Sequence, residues 1–382
     1  MHNLLLLIFV ASLIFFNSCG SNFYVPTNSS DKFHVVRIKS SKQTFDAAKV
    51  KKIEETDHLI IYAESGYNVN YNYVNYVAKK FEDNYNSLIN IYGSHTDVDR
   101  NGKIIILLIK INDNYSGDSI VMGYFLPYDL FDVKFNNAEI LYMDINILND
   151  SPYLIAGTVL HEFQHLINFN VNDIQKKSSM SLWLNESLSE STSVLFDSYT
   201  SKARIEEFNN INYYCFYTWD LPYPYGNYFI NYPSASVFMN WLYIKNGRNS
   251  DIFKRIASSS QIQDYDKVLK SVSESSTWQN LLTDWIEGIK SGSVYGARIN
   301  TLTSAKLYPG ALIYDGSQVR VNPSTELSNF SYIAVSKVNS ISGRSAINDD
   351  ENNEEEISLK NINNKPKYID LVFDVDGKIR EY

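Results

Sequence analysis

The fourteen residues GTVLHEFQHLINFN, 157 to 170, carry two histidines and a glutamate at a spacing that suits metal chemistry. On a helix, positions four apart lie one above the other on the same face, so His161 and His165 can turn both imidazoles toward one ion. Glu162, one position on, falls beside that ion rather than on it. From there its carboxylate can take a proton from a metal-activated water and pass it to a leaving amine. A hydrolytic zinc centre needs three protein ligands and one open position. No histidine follows His165, and Asn168 and Val171 stand where a downstream-histidine pattern would need Gly and His. A carboxylate is left as third ligand.

Glu186 supplies one, in SLWLNESLSE, after the turn-rich link NVNDIQKKSSM that is long enough to reverse the chain. Glu190 lies one helical turn further on the same face, where it can hydrogen-bond a ligand histidine and fix its tautomer. Two glutamates spaced by four usually mark a solvated helix face; Trp183 and Leu184 give this helix a side to bury.

These residues must be positioned by the elements around them. Ser151-Pro152 is a good start for the motif helix, with a hydroxyl able to cap and proline in the first turn. Upstream, HLIIYAE (58 to 64), KIIILLIKI (103 to 111) and AEILYMDI (138 to 145) read as buried strands. Between the first two, residues 71 to 93 have apolar positions at helical spacing, closed by Gly93. FHVVRIK is a strand-like piece in an otherwise undefined stretch before Thr56. Beyond residue 180 the apolar period is helical through TWQNLLTDWIEGIKSG, and from about Leu302 short strand-like segments follow. The last, YIDLVFDVDGKIREY, holds a hairpin signal at Asp376-Gly377. The acidic run before it, 346 to 366, cannot bury itself and reads as a loop. The pattern predicts an α+β fold.

With 44% hydrophobic residues, the 382-residue chain can bury a substantial core. A net charge of -9 and the lack of any Lys/Arg block exclude nucleic acid as partner. The apolar run Leu4 to Phe16 is long enough for a signal peptide and short for a membrane span. It ends at Ser18-Cys19-Gly20, which resembles a bacterial lipoprotein cleavage box, although Phe16, Asn17 and the lack of an early Lys or Arg depart from the usual form. Residues 1–19 therefore predict export, with a lipid on Cys19 tying the protein to a membrane; an ordinary signal peptide or an uncleaved anchor is the alternative. Cys215 then has no disulfide partner, and without a histidine neighbour it reads as a packed residue.

HEFQHLINF followed by WLNESLSE is similar to the gluzincins, the thermolysin-like metallopeptidases with HExxH and a downstream NExxS-D/E helix. The resemblance is strongest to the hyicolysin-type bacterial metallopeptidases. DVDRNGKIIILL, GYFLPYDL and NAEILYMD upstream, and YPSASVFMNWLYIKNG downstream, extend it over about residues 57 to 250. It implies zinc, proteolysis and secretion, with His161, His165 and Glu186 on the metal and Glu162 as base. The implied organisation is a tether and extension (20–56), then a zincin-like metallopeptidase domain (57–300). That domain has an α/β half (57–175) and a helical half (176–300), and a β-rich extension (301–382) follows it.

Thermolysin-type enzymes use a histidine toward the oxyanion; none lies downstream here, so a tyrosine must substitute. Tyr232, placed ahead of PSASVFMNWL somewhat as in related aminopeptidases, is the candidate, with Tyr228 nearly its equal. The acidic GxMEN-type site of the aminopeptidases is not recognisable, which favours an endopeptidase acting on protein or peptide. EILYMDI is expected to be a sheet edge that binds substrate as an added strand.

A rival from another class is a catalytically silent surface adhesin on the same scaffold, its aromatic stretch 212–232 holding a ligand; that stretch can equally pack against helices. DVDRNGK (97 to 103) has the first half of a calcium-loop pattern, but Leu108 stands where the closing Glu belongs, so a polar turn feeding a strand is the favoured reading. Ca2+ there, or in the acidic run, is the lesser alternative.

Overall fold

Strands β1 (Lys32–Lys39) and β2 (Lys42–Glu55) form an antiparallel pair, and β2 continues antiparallel onto β3 (Leu59–Glu64). The computed structural model describes residues 32–39, 42–114, 119–131, 135–219, 228–272, 277–302, 305–307, 310–321, 333–335 and 367–371, all within the compact unit Lys32–Tyr382. The amino-terminal apolar run, Cys19, the acidic run 346–366 and the Asp376-Gly377 turn lie outside them.

Helix α1 (Tyr71–Tyr92) carries the chain from β3 to β4 (Ile104–Ile109), which pairs parallel to β3. Next come β5 (Ser119–Phe125) and β6 (Ile140–Asp144). β6 enters between the two, parallel to β4 and antiparallel to β5, and the strand Lys367–Leu371 runs parallel along the far side of β5. EILYMDI is therefore an inner strand, not the edge expected of it. All five residues of β6 are buried, and an unbroken apolar run is the mark of a strand covered on both faces. Alternation divides β4 accordingly: Ile104, Ile106 and Leu108 join the core shared with α1 and the helices, while Ile105, Leu107 and Ile109 pack with Val35, Val36, Tyr124 and Tyr142.

Among the described residues the sheet begins at Lys32, within the stretch 20–56 expected to be a tether and extension. Among the residues of β2 whose burial is described, only Ala48 and Val50 are fully buried, among charged neighbours, too sparse an alternation to announce a strand.

Asp144 closes β6 and caps α2 (Ile145–Asp150), its Oδ1 accepting the Asn146 and Ile147 N–H groups at 2.9 and 3.1 Å. Helix α3 (Pro152–Asn168) follows with proline in its first turn, but the Ser151 hydroxyl makes no capping bond. The Ser151 N–H donates to Ile147 O and ends α2. The helical part comprises α4 (Leu182–Phe196), α5 (Ser198–Phe208), α6 (Tyr228–Lys245), α7 (Asp251–Ser258), α8 (Asp264–Ser271) and α9 (Trp278–Lys290). Ala305–Leu307 pairs with Ile333–Val335, and Leu312–Tyr314 with Val319–Val321, in two small sheets. The fold is α+β, a mixed sheet and an adjoining set of helices consistent with a zincin-like domain. Among the described residues no helix is long and apolar enough to cross a membrane.

Candidate metal centre

Helix α3 is the hub of the site. Pro152 and every residue from Ile155 to Asn168 are buried, as expected of a helix apolar on all sides. It packs against α1, α4 and β5. Phe163, inside the HEFQH motif, sits against Phe81 and Tyr85 of α1 with ring centroids 4.9 and 5.6 Å away, a burial that contributes about 1.5–3 kcal/mol. Gly157 lets α5 approach: a Cβ there would collide with Thr200 Oγ1 and Asp197 Oδ2. After Asn168 the chain widens into a π-type turn, Phe169–Gln175, before it reverses into α4. The reversal is pinned by amides, Asn172 Nδ2 donating to Asn168 Oδ1 (2.6 Å) and Asn168 Nδ2 to Asn185 Oδ1 (2.8 Å).

This packing brings α4 face to face with the motif. The Nε2 atoms of His161 and His165 are 3.1 Å apart. Glu186 Oε2 lies 3.3 Å from His161 Nε2, and Oε1 lies 3.5 Å from His165 Nε2. These separations match the ~3.3–3.4 Å edges of a tetrahedron with ligand bonds of about 2.0–2.1 Å. Glu186 is 0% exposed and neither of its oxygens accepts a directed hydrogen bond. Burial works to raise its pKa, but attraction to His165 and His161, in the state where those rings are protonated, outweighs this and holds the carboxyl down at about 2. An ionised, dry carboxylate aimed at two ring nitrogens is a donor set that fits a zinc ion. Glu162 is also fully buried, with a carboxylate oxygen within 4.8 Å of a ring nitrogen of each histidine.

Behind the ring nitrogens stand groups that fix them. His165 Nδ1–H donates to Asn185 Oδ1 at 3.1 Å, and Ser189 Oγ lies 3.1 Å from the same nitrogen. Because Asn185 Oδ1 also accepts from Asn168, the proton belongs on Nδ1 and the lone pair on Nε2 faces Glu186. His161 Nδ1 lies 3.6 Å from Glu190 Oε1. Glu190 is in turn held by Arg204, Nε to Oε1 and Oε2 at 3.2 and 3.1 Å and Nη2 to Oε1 at 2.9 Å. The Arg204 guanidinium lies 4.7 Å above the Tyr232 ring centroid, and that ring is 6.2 Å from the ring of His161 and edge-on to Trp219 at 4.6 Å.

His161, Glu162, His165, Glu186, Glu190 and Tyr232 thus lie in one place, while the side chain of Tyr228 lies outside the described residues. Asn185, Ser189 and Arg204 were not singled out. Asn185 and Ser189 had a signal, polar groups on an otherwise buried stretch of α4; Arg204 had none, since KARIEEF reads as an ordinary charged helix. The described part of the aromatic stretch is core: Phe216 stacks on Phe238 at 4.5 Å and meets Trp285 at 5.6 Å. Cys215 is packed there too, its thiol pushed up to about 11 by burial.

No family model matches the chain. Over 246 residues it is 28% identical to the neutral metalloprotease ShpI of Staphylococcus hyicus, covering 60% of this chain and 54% of that protein. The chain thus spans about half the length of the curated relative it matches. The likeness supports the thermolysin-like, hyicolysin-type metallopeptidase resemblance of the motifs, and His161, Glu162 and His165 stand where they can hold a metal ion.

Proposed function

We propose that this chain is a zinc-dependent endopeptidase, exported and carried at a bacterial envelope by a lipid on Cys19. The observation that supports it most is the Glu186 carboxylate, buried and without a directed hydrogen bond, facing the Nε2 atoms of His161 and His165 at 3.3 and 3.5 Å. Zinc held by these three residues would polarise the scissile carbonyl and bring the pKa of an attacking water toward about 7. Glu162 takes that water's proton and delivers it to the departing amine nitrogen. Asn185 and Ser189 orient His165, and Glu190, braced by Arg204, orients His161. The Tyr232 hydroxyl donates to the carbonyl oxygen as it becomes negative. The catalytic unit takes in the sheet from Lys32, including the strand Lys367–Leu371 beside β5, and the helices through Lys290.

The test is metal content and cleavage of a denatured protein. The wild type carries about one zinc per chain; Glu162→Gln keeps the metal and loses cleavage by about 10²–10⁴-fold. Turnover at the wild-type rate in Glu162→Gln, or in zinc-free protein, overturns the proposal. Ligand binding insensitive to chelators, with no turnover, assigns the scaffold to adhesion instead.

A further inference from the structure

The loop that follows α1 and feeds β4 places Asp97, Asp99 and Asn101 at alternate positions, with Gly102 at a φ of 69°. The Gly102 N–H donates to Asp97 Oδ1 at 3.1 Å, and the Asn101 N–H to Asp99 Oδ1 at 3.1 Å. This is the opening half of a calcium loop, in which oxygen ligands alternate, a glycine makes the turn and a glutamate six positions later closes the shell. Leu108 occupies that later position, buried inside β4. The sheet supplies a substitute. β4 and β6 pair in parallel with Ile105 opposite Ile140, and the Ile105 N–H donates to Glu139 O at 2.7 Å. That register sets Glu139 level with the exit of the loop.

The Glu139 side chain reaches back into the loop, where Oε1 accepts the Val98 N–H at 2.8 Å. Its other oxygen, Oε2, is buried without a hydrogen-bond partner, in a residue 1% exposed. Carboxylate oxygens of Asp97, Asp99 and Glu139 lie within 4.8 Å of one another. An open oxygen in so dry a place, beside two further carboxylates, is costly without a cation. The crowding shows at Asp99, pushed up to about 6 by burial and by its neighbours Glu139 and Asp97.

We propose that Asp97, Asp99 and Glu139 hold a Ca2+ ion at the head of β4 and β6, with water completing the shell on the side of exposed Asp97. The set is oxygen only and irregular, which suits Ca2+ with its six to eight ligands better than Mg2+, which demands a tight octahedron. The ion ties the loop to β6, and β6 leads through α2 into the motif helix. The start of the same loop is already fastened beyond that helix, Ser94 O accepting from Asn170 Nδ2 at 2.8 Å.

The test uses the full zinc-containing chain freed of calcium on a chelating resin, with zinc content followed throughout. Titration with CaCl2 is expected to show one Ca2+ bound per chain, Mg2+ at least tenfold weaker, and a rise in Tm on the order of 5 °C at saturation. Asp99→Asn and Glu139→Gln each weaken Ca2+ binding at least tenfold; Asp99, on the loop and half-buried, gives the variant that folds most readily. Absence of saturable binding up to ~10 mM Ca2+, Mg2+ bound as tightly as Ca2+, or undiminished affinity in Asp99→Asn overturns the proposal.

Discussion

Two clusters of ionisable side chains flank the passage from β6 to α3, and they differ in nearly every respect that decides what a cation site can hold. His161, His165 and Glu186 mix nitrogen with oxygen and are all buried. Asp97, Asp99 and Glu139 are oxygen alone and grade from exposed through half-buried to buried. Burial of all three donors requires an ion that exchanges most of its water shell for a few short bonds, as zinc does with imidazole. Partial exposure suits an ion that keeps some of its water. The contrast teaches that the donor atoms and their hydration, more than the count of charges, separate the two sites.

The sharpest way to break the comparison is to remove one ligand and watch both sites. Glu186→Ala takes away the carboxylate that lies 3.3 and 3.5 Å from the two Nε2 atoms. Cleavage is expected to fall to background and zinc content toward zero, while the Ca2+-dependent rise in Tm persists. Loss of the calcium response in the same variant would mean that the clusters act as one.

A smaller effect is expected at Arg204, which touches neither site directly. It closes three hydrogen bonds on Glu190, whose Oε1 faces His161 Nδ1 at 3.6 Å. Arg204→Met leaves the Glu190 charge buried and uncompensated, at about 3–5 kcal/mol of stability, read as a fall in Tm. Zinc affinity, measured by chelator competition, is expected to drop about 10–100-fold. Arg204→Lys restores charge but not the two-pronged geometry, so it recovers Tm more than it recovers affinity. Affinity unchanged in Arg204→Met would reduce Arg204 to a structural role.

The two sites were also unequally legible in the sequence. His161 and His165 are joined by helical periodicity alone, and Glu186 falls on the next helix, so local rules suffice. The acidic site depends on strand register: its buried ligand is 41 positions from Val98, the loop residue it bonds, and only the parallel pairing of β4 with β6 brings the two together. Its loop could be seen as half a calcium pattern, with the closing residue beyond the reach of any local count. The same limit explains β6, whose composition announced a buried strand while its neighbours, and hence its inner place, did not follow from composition. It explains Arg204 too, brought to Glu190 by the packing of α5 alone.

Asp129 sharpens the comparison as a buried carboxylate in which hydrogen-bond donors replace any cation. It is fully buried, and Oδ2 accepts the Tyr142 hydroxyl at 2.6 Å while Oδ1 accepts Asn136 Nδ2 at 2.8 Å. Burial pushes its pKa up to about 7 from the usual 3.8, with those hydrogen bonds opposing the rise. The folded chain therefore keeps a proton that the unfolded chain has lost between those two values. Its contribution to stability is complete below the unfolded pKa and is lost as pH rises toward about 7. Asp129→Asn cannot ionise; its amide keeps an acceptor for Asn136 and offers an N–H to Tyr142, whose hydroxyl can turn to His34 O at 3.3 Å. The decline of Tm between ~pH 4 and ~pH 7 is expected to be shallower in the variant than in the wild type, and the difference between them to be indifferent to Ca2+. Parallel Tm curves would show that Asp129 is ionised throughout and that these two donors are enough to hold a dry carboxylate as an anion, in which case the open oxygen of Glu139, rather than its burial, is what calls for an ion.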